Sequence, residues 1–440
     1  MKGSAAAADP RAVIDHGTMT WRQFMVIGLC VLLNGLDGFD VLSISFASPG
    51  ISAEWGIDRA ALGIILSMEL IGMSVGSIAL GLLADRIGRS PVVVGSLLVM
   101  AGGMALAAMA NGILELGVIR LVTGLGIGGM LACTNAIVAE AASNRVRAAA
   151  VAVMAAGYPL GAIIGGSIAS ELLKDGSWRD IFWLGAGATI AFLPLVLLIL
   201  PESIGLIVRR FDGQEALLRV NRALKRLGHA TLSGIALAPR SDSGEDDATI
   251  MRGALRRTTL LLIAAYFFHM TTFYFILKWI PKIVVDMGFA ASSAGGVLVW
   301  ANVGGLVGSL VFSLITTRVP VRPLVMATFV IAFGTVVLFG MSESGLEPLA
   351  RAAAIAGFFT NAAVVGLYAL IASSYPAHLR AGATGVVIGF GRGGAALGPV
   401  LAGLLFAGGI SLPLVAAIMG LGSLIALAAI AALPRGHGRA

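Results

Sequence analysis

Long apolar runs alternate with short polar loops along almost the whole chain. About twenty apolar residues cross a bilayer as a helix. Runs of that kind fall at 24–46, 62–83, 91–110, 113–138, 146–172, 181–200, 259–285, 294–316, 320–341, 352–372, 383–406 and 412–433. The pattern predicts twelve spanning helices. A long polar segment, 201–258, divides them six and six. It holds a basic, helix-compatible stretch at 209–226, then an acidic Ser/Gly-rich piece at 241–247 with the composition of a linker. The expected domains are 1–200 (a six-helix bundle behind a short tail), 201–258 (a central loop) and 259–440 (a second six-helix bundle).

Composition agrees with the pattern. Of 440 residues, 58% are hydrophobic and 12% charged, where a soluble domain carries about 25% charged residues. That excludes a large soluble fold. The 59 glycines suit close helix packing in a membrane. No short apolar core with a cleavage site precedes the first run, so a short N-terminal tail is expected rather than a signal peptide. Cys30 and Cys133 both lie in apolar runs, which argues against a disulfide framework or a metal cluster. No cofactor is expected.

The net charge of +7 is explained by topology rather than nucleic acid. With the N-terminus cytoplasmic, 22 of the 30 Lys and Arg fall in tails and loops on that side, against 6 on the other. The excess places both termini and the central loop in the cytoplasm of an inner (plasma) membrane. The two halves also look duplicated. The loop after the second span carries Gly81, Asp85, Arg86, Gly88 and Arg89, and the loop after the eighth carries Thr317, Arg318, Pro320 and Arg322 at the matching place. Duplicated halves are a mark of secondary transporters, whose site lies near the midplane between repeats.

The first of these loops resembles the signature between helices 2 and 3 of the major facilitator superfamily. Arg120, Gly124, Gly126, Gly128 and Gly129 resemble its helix-4 motif, and Pro201-Glu202-Ser203 its helix-6 ending. The first span reads Asp37-Gly38-Phe39-Asp40, followed by Glu54-Trp55-Gly56. With Trp279, Pro281, Gly391, Arg392, Gly394, Gly398 and Pro399, the chain resembles the aromatic acid:proton symporter branch. The resemblance implies an all-α membrane protein of the major facilitator fold, with twelve transmembrane helices in two pseudo-symmetric six-helix bundles. It also implies transport of a small aromatic carboxylate with protons, by a functional monomer in contact with membrane lipid. The chain departs from the pattern at Ser90, where a basic residue is usual, and at Thr317 and Pro320, where Asp and Gly are usual. That implies a weaker second-half latch.

The candidate chemistry lies within the spans. Each carboxylate in hydrocarbon costs roughly 2.5–3.5 kcal/mol on insertion scales, so Asp37 and Asp40 mark a functional path. Three apart, they share a helix face and are the candidates for proton coupling. Gly35 and Gly38 beside them permit either close approach or local unwinding. Arg120 stays charged and needs a carboxylate, a substrate anion or water; the resemblance places it near the first span, which implies a pair with Asp37 or Asp40. Arg392, deep in the eleventh span, has the guanidinium fork suited to a carboxylate. His269 is a proton shuttle or donor, and Tyr274 stacks on an aromatic ring. Asn34 completes the candidate substrate-binding set of Arg120, His269, Tyr274 and Arg392. Lys278 is expected to snorkel to the interface. Glu69, Asn135, Tyr158, Asn302 and Asn361 are read as interhelical hydrogen-bonding groups, Glu69 being the most suspicious.

Gating falls to Gly81, Asp85, Arg86, Gly88, Arg89 and Glu140. By the resemblance, Asp85 caps a helix of the other half, while Arg86 and Arg89 sit at the anionic lipid surface. The glycines at 124, 126 and 128 lie inside a span rather than after a strand, so a nucleotide-binding loop is excluded. An enzyme is not expected. The expected function is proton-coupled symport of an aromatic carboxylate by alternating access. The alternatives are an organic-anion or sugar-acid porter, a proton-driven drug exporter, or a transporter-like membrane sensor.

Overall fold

The computed structural model describes residues 9–235, 253–342, 345–376 and 379–434. The acidic piece at 241–247, the first eight residues, Arg435 and Arg439 lie outside the described residues. Twelve helical segments are long and apolar enough to cross a membrane. The first six are α2 (Trp21–Trp55), α3 (Arg59–Ile87), α4 (Arg89–Met109), α5 (Ile113–Ala141), α6 (Arg147–Leu172) and α7 (Trp178–Ile199). The second six begin with α10 (Gly253–Asp286), α11 (Ala291–Ile315), α12 (Val321–Gly340) and α13 (Leu346–Ser373). Span eleven is broken into α14 (Arg380–Gly391) and α15 (Gly393–Ala407), and α16 (Leu412–Ala431) ends the series. Shorter helices α1 (Pro10–His16), α8 (Ile204–Arg210) and α9 (Gly213–Leu227) lie under the first bundle.

The first span starts from a capping box. Thr20 accepts from the Gln23 amide, Gln23 returns the bond to the Thr20 amide at 2.7 Å, and Gly56 in the left-handed region ends the helix. At 35 residues α2 is about 52 Å long, longer than the hydrocarbon core, so its ends stand clear of it. It runs as one helix through Asn34–Asp40, so the glycines there serve close approach, not unwinding. A Cβ on Gly38 would lie 2.0 Å from the Tyr158 carbonyl oxygen of α6. The second bundle repeats this crossing between its own first and fifth spans, where a Cβ on Gly394 would lie 1.8 Å from the Phe267 carbonyl. Small residues thus set matched helix crossings in both halves, the packing that lipid-embedded helices use when no hydrophobic drive separates helix from solvent.

Contacts between the bundles gather at the face away from α1, α8 and α9. Gly63 at the start of α3 lies against Pro399 and Gly403 of α15, and Gly295 at the start of α11 lies against Ser170 at the end of α6. Arg59 meets Asp286 at 2.8 Å on the same face. The opposite, near face of the first bundle is tied within itself. The Thr20 hydroxyl donates to the Leu227 carbonyl, and Gln23 donates to the Ala141 carbonyl at 2.7 Å. Arg147 pairs with Asp15 of α1. The basic stretch of the central loop is thereby α8 and α9 packed under the bundle, with Val220, Ala223, Leu224 and Leu227 buried.

Candidate functional site

Asp37 and Asp40 are both buried in α2, each 1% exposed, yet their surroundings differ sharply. Asp40 belongs to a four-charge group. Arg120 of α5 reaches its Oδ1 at 3.3 Å and its backbone carbonyl at 2.9 Å, and also pairs with Glu69 of α3. The Arg120 guanidinium lies over the Phe182 ring at 5.5 Å and contacts Met104 Sδ at 3.2 Å. Lys278 of α10 stands 3.5 Å from the second Glu69 oxygen and donates to the Val41 carbonyl. Two carboxylates and two cations therefore balance in a dry site. Such a group is tolerated in hydrocarbon because the Coulombic attraction and the extra hydrogen bonds offset desolvation.

Asp37, one turn earlier, has no hydrogen-bond partner on either oxygen. The positive group within electrostatic range is Arg392, at the break between α14 and α15. A Cβ on Gly391 would lie 2.4 Å from Tyr266, so the chain lies directly on α10 just before Arg392. Among the described residues Arg392 makes no ion pair, and it is only half-buried. Four of the five tyrosines of the chain surround this pair. The Tyr266 and Tyr368 hydroxyls meet at 3.1 Å. Tyr158 of α6 and Tyr274 of α10 lie within electrostatic reach of each other, short of a formed hydrogen bond, and the Tyr158 hydroxyl is buried without a partner. Tyr368 is exposed, and Tyr158, Tyr274 and Arg392 are partly exposed. The arrangement offers a cation, unspent hydroxyls and ring faces to an anionic aromatic guest, and one uncompensated carboxylate to a proton.

Other candidates lie elsewhere. His269 is fully buried behind α10. Its Nε2–H donates to the Thr360 carbonyl at 2.9 Å, its Nδ1 accepts from the Ser423 hydroxyl at 3.1 Å, and the ring packs on Phe329. Both nitrogens are spent inside the second bundle, away from Asp37. Asn34 donates to the Met154 carbonyl of α6 at 2.7 Å, which ties helix to helix. Arg120 faces Asp40 and Glu69, not Asp37. The expectation that Lys278 snorkels is overturned: the side chain is 0% exposed, because Glu69 and the Val41 carbonyl hold it across the bundle divide.

At the near face, Gly88 takes φ +113°, and a Cβ there would lie 2.6 Å from Glu202. The space lets Glu202 accept from the Arg89 amide at 3.1 Å while the Arg89 side chain pairs with Glu140 at 2.7 Å. Gly81 packs 3.7 Å from Ala132, measured from a built Cβ, and Arg86 is exposed. Asp85 is exposed and shares a small recess with Arg89 and Glu140 of the first bundle and Arg209 of the central loop. Among the described residues Asp85 makes no cap on the other half, and the contacts described between the bundles lie at the far face.

Two of the missed groups left a trace in the sequence. Glu69 and Tyr158 stood out only as polar residues within spans. Tyr266 and Tyr368 carried no signal beyond the scarcity of tyrosine, because nothing in the spacing of 158, 266, 274 and 368 brings them together.

Two bundles closed on one face around a polar midplane define a membrane transporter. Comparison with known proteins agrees. The family model described as Major Facilitator Superfamily matches residues 29–342 and again 262–439. The chain therefore belongs to the Major Facilitator Superfamily and is a multi-pass membrane transporter, not an enzyme. It is 29% identical to a gallate transporter of Pseudomonas putida, over 99% of this chain and 96% of that one. It is 30% identical to the 3-(3-hydroxy-phenyl)propionate transporter of Escherichia coli (strain K12), over 88% of each. The crystal structure of a mutant of the nucleoside transporter NupG matches with a TM-score of 0.65 at 14% identity, over 94% of this chain and 100% of that one, a likeness of fold.

Proposed function

We propose that this protein is a symporter that imports an aromatic carboxylate together with a proton by alternating access. The observation that carries the reading is Asp37, a buried carboxyl with both oxygens unbonded, within range of the unpaired Arg392. The pair is neutral when Asp37 is ionised beside Arg392. An anion bound to Arg392 makes the site negative unless a proton enters on Asp37. Net charge in a low-dielectric midplane is expensive, so anion and proton enter together. Arg392 holds the substrate carboxylate through its fork, and Tyr274 with its neighbouring tyrosines takes the ring. The named relatives, a gallate transporter and a hydroxyphenylpropionate transporter, support the choice of cargo.

The distribution of Lys and Arg supports an inner-membrane orientation with the termini cytoplasmic, so the closed far face is the outer one. The bundles are 1–200 and 259–440, with 201–258 a cytoplasmic loop. Gating at the near face belongs to the Arg89–Glu140–Glu202 set with Gly81, Asp85, Arg86 and Gly88, next to the lipid headgroups. In this reading the protein works as a monomer.

The test is uptake of a panel of labelled aromatic acids into proteoliposomes under an imposed pH gradient. We expect accumulation of at least one acid that stops when the gradient is collapsed. Uptake indifferent to the gradient would sink the symport reading, and indifference to every aromatic acid would sink the cargo.

A further inference from the structure

Lys278, Lys282 and Asp286 follow at four-residue spacing and share one face of α10. That face is turned to the first bundle. Asp286 meets Arg59 at 2.8 Å where both are partly exposed, and Lys282 pairs with Asp286. Lys278 lies two turns deeper and is fully buried. Its ammonium donates to the Val41 carbonyl of α2 and stands 3.5 Å from Glu69 Oε2, an oxygen with no other hydrogen-bond partner. The remaining charges of the group all belong to the first bundle: Asp40 on α2, Glu69 on α3 and Arg120 on α5. With both acids ionised they sum to one negative charge. Lys278 supplies the balancing positive charge from the other bundle, and among the described residues it is the one cation of that bundle ion-paired to the group.

We propose that Lys278 is a positioning residue that makes closure of the far face depend on the charge of the Asp40–Glu69–Arg120 group. When both acids are ionised, Lys278 draws α10 onto α2 and α3 and the far face shuts. A proton on Asp40 or Glu69 leaves a surplus positive charge, Lys278 lets go, and the far face opens. The other groups facing this set are Asp37 on the next turn of α2, Tyr158 on α6 and Tyr274 on α10; Met104 and Phe182 add no charge. Arg392 acts on the set through Asp37. The inference rests on the alternating-access reading above but not on the identity of the cargo.

The test reads the far face directly. In a chain carrying Cys30→Ala and Cys133→Ala, Ser170→Cys places a reporter against Gly295 at the bundle contact, away from the charged group. A membrane-impermeant maleimide is applied to intact cells. We expect Lys278→Met to raise the labelling rate about tenfold, a shift of populations between closed and open far faces. The double variant Lys278→Met, Glu69→Gln again balances Asp40 against Arg120 and should label more slowly than the single variant. Lys278→Arg should stay near the parent. Glu69→Gln alone leaves a surplus positive charge and should label faster than the parent, which keeps the test open if Lys278→Met fails to insert. Unchanged labelling in Lys278→Met and Glu69→Gln, or a double variant that labels faster than Lys278→Met, would overturn the proposal. Labelling needs no substrate, so its failure is distinct from a failure of the symport reading, which uptake measures.

Discussion

Asp37 and Asp40 stand one turn apart on the same helix, equally buried, and differ in almost everything else. Asp40 is embedded with Glu69, Arg120 and Lys278 in a set whose charges cancel. Asp37 has no bonded partner and feels the charge of Arg392 across the divide between the bundles. Burial alone does not assign a role to an acid. A carboxylate balanced within its own set of charges keeps that balance when a guest anion arrives. One whose compensation comes from a residue that a guest anion will also claim must respond when the guest arrives. What separates the two is the cation: Asp37 shares Arg392 with the guest, while the Asp40 set is balanced by Lys278 and bears on closure.

The sharpest way to break this contrast is to neutralise each acid in turn. We expect Asp37→Asn to lower gradient-driven uptake by roughly 100-fold or more, the loss of a group acting directly on the coupled proton. Substrate exchange without a gradient should survive, because Arg392 keeps its site. Retention of full gradient-driven uptake would return the proton role to Asp40. Asp40→Asn should act on stability and on closure of the far face instead. Leaving a buried Arg120 partly uncompensated costs about 3–5 kcal/mol, to be read as a lower melting temperature in detergent.

The cation side sharpens the same contrast. Arg392→Lys replaces a fork with a point charge, and we expect KM for the carboxylate to rise about tenfold with the pH-gradient dependence intact. An unchanged KM would remove Arg392 from the substrate. The smallest effect should come from His269. With both nitrogens spent on Thr360 and Ser423, His269→Leu should cost about 1–3 kcal/mol of stability through the groups it strands. Its pH profile of uptake should match that of the parent. A shifted profile would give His269 a coupling role.

Much of the fold was legible because the membrane makes the code simple. Twelve runs of bilayer length, a polar divider and a charge asymmetry lead directly to twelve helices in two bundles, and Asp37, Asp40, Arg120 and Arg392 stand out as charges in hydrocarbon. The partnerships were not legible. Lys278 near the end of an apolar run reads as a snorkelling lysine, since sequence carries no sign that Glu69, some two hundred positions earlier, waits across the bundle divide. His269 reads as a lone functional histidine, since sequence does not reveal which carbonyl and hydroxyl face its two nitrogens.

Composition and periodicity along the chain settle the lipid solvent, the number of spans, the duplicated halves and which side chains are too costly to be idle. Both act over one helix at a time. Only the tertiary structure decided that Asp40 is compensated and Asp37 is not, and that the tyrosines converge on Arg392. It also decided that a lysine of one half completes the charge balance of the other. A charge takes its meaning from what lies within a few ångströms of it, and in a helical bundle those neighbours come from different spans.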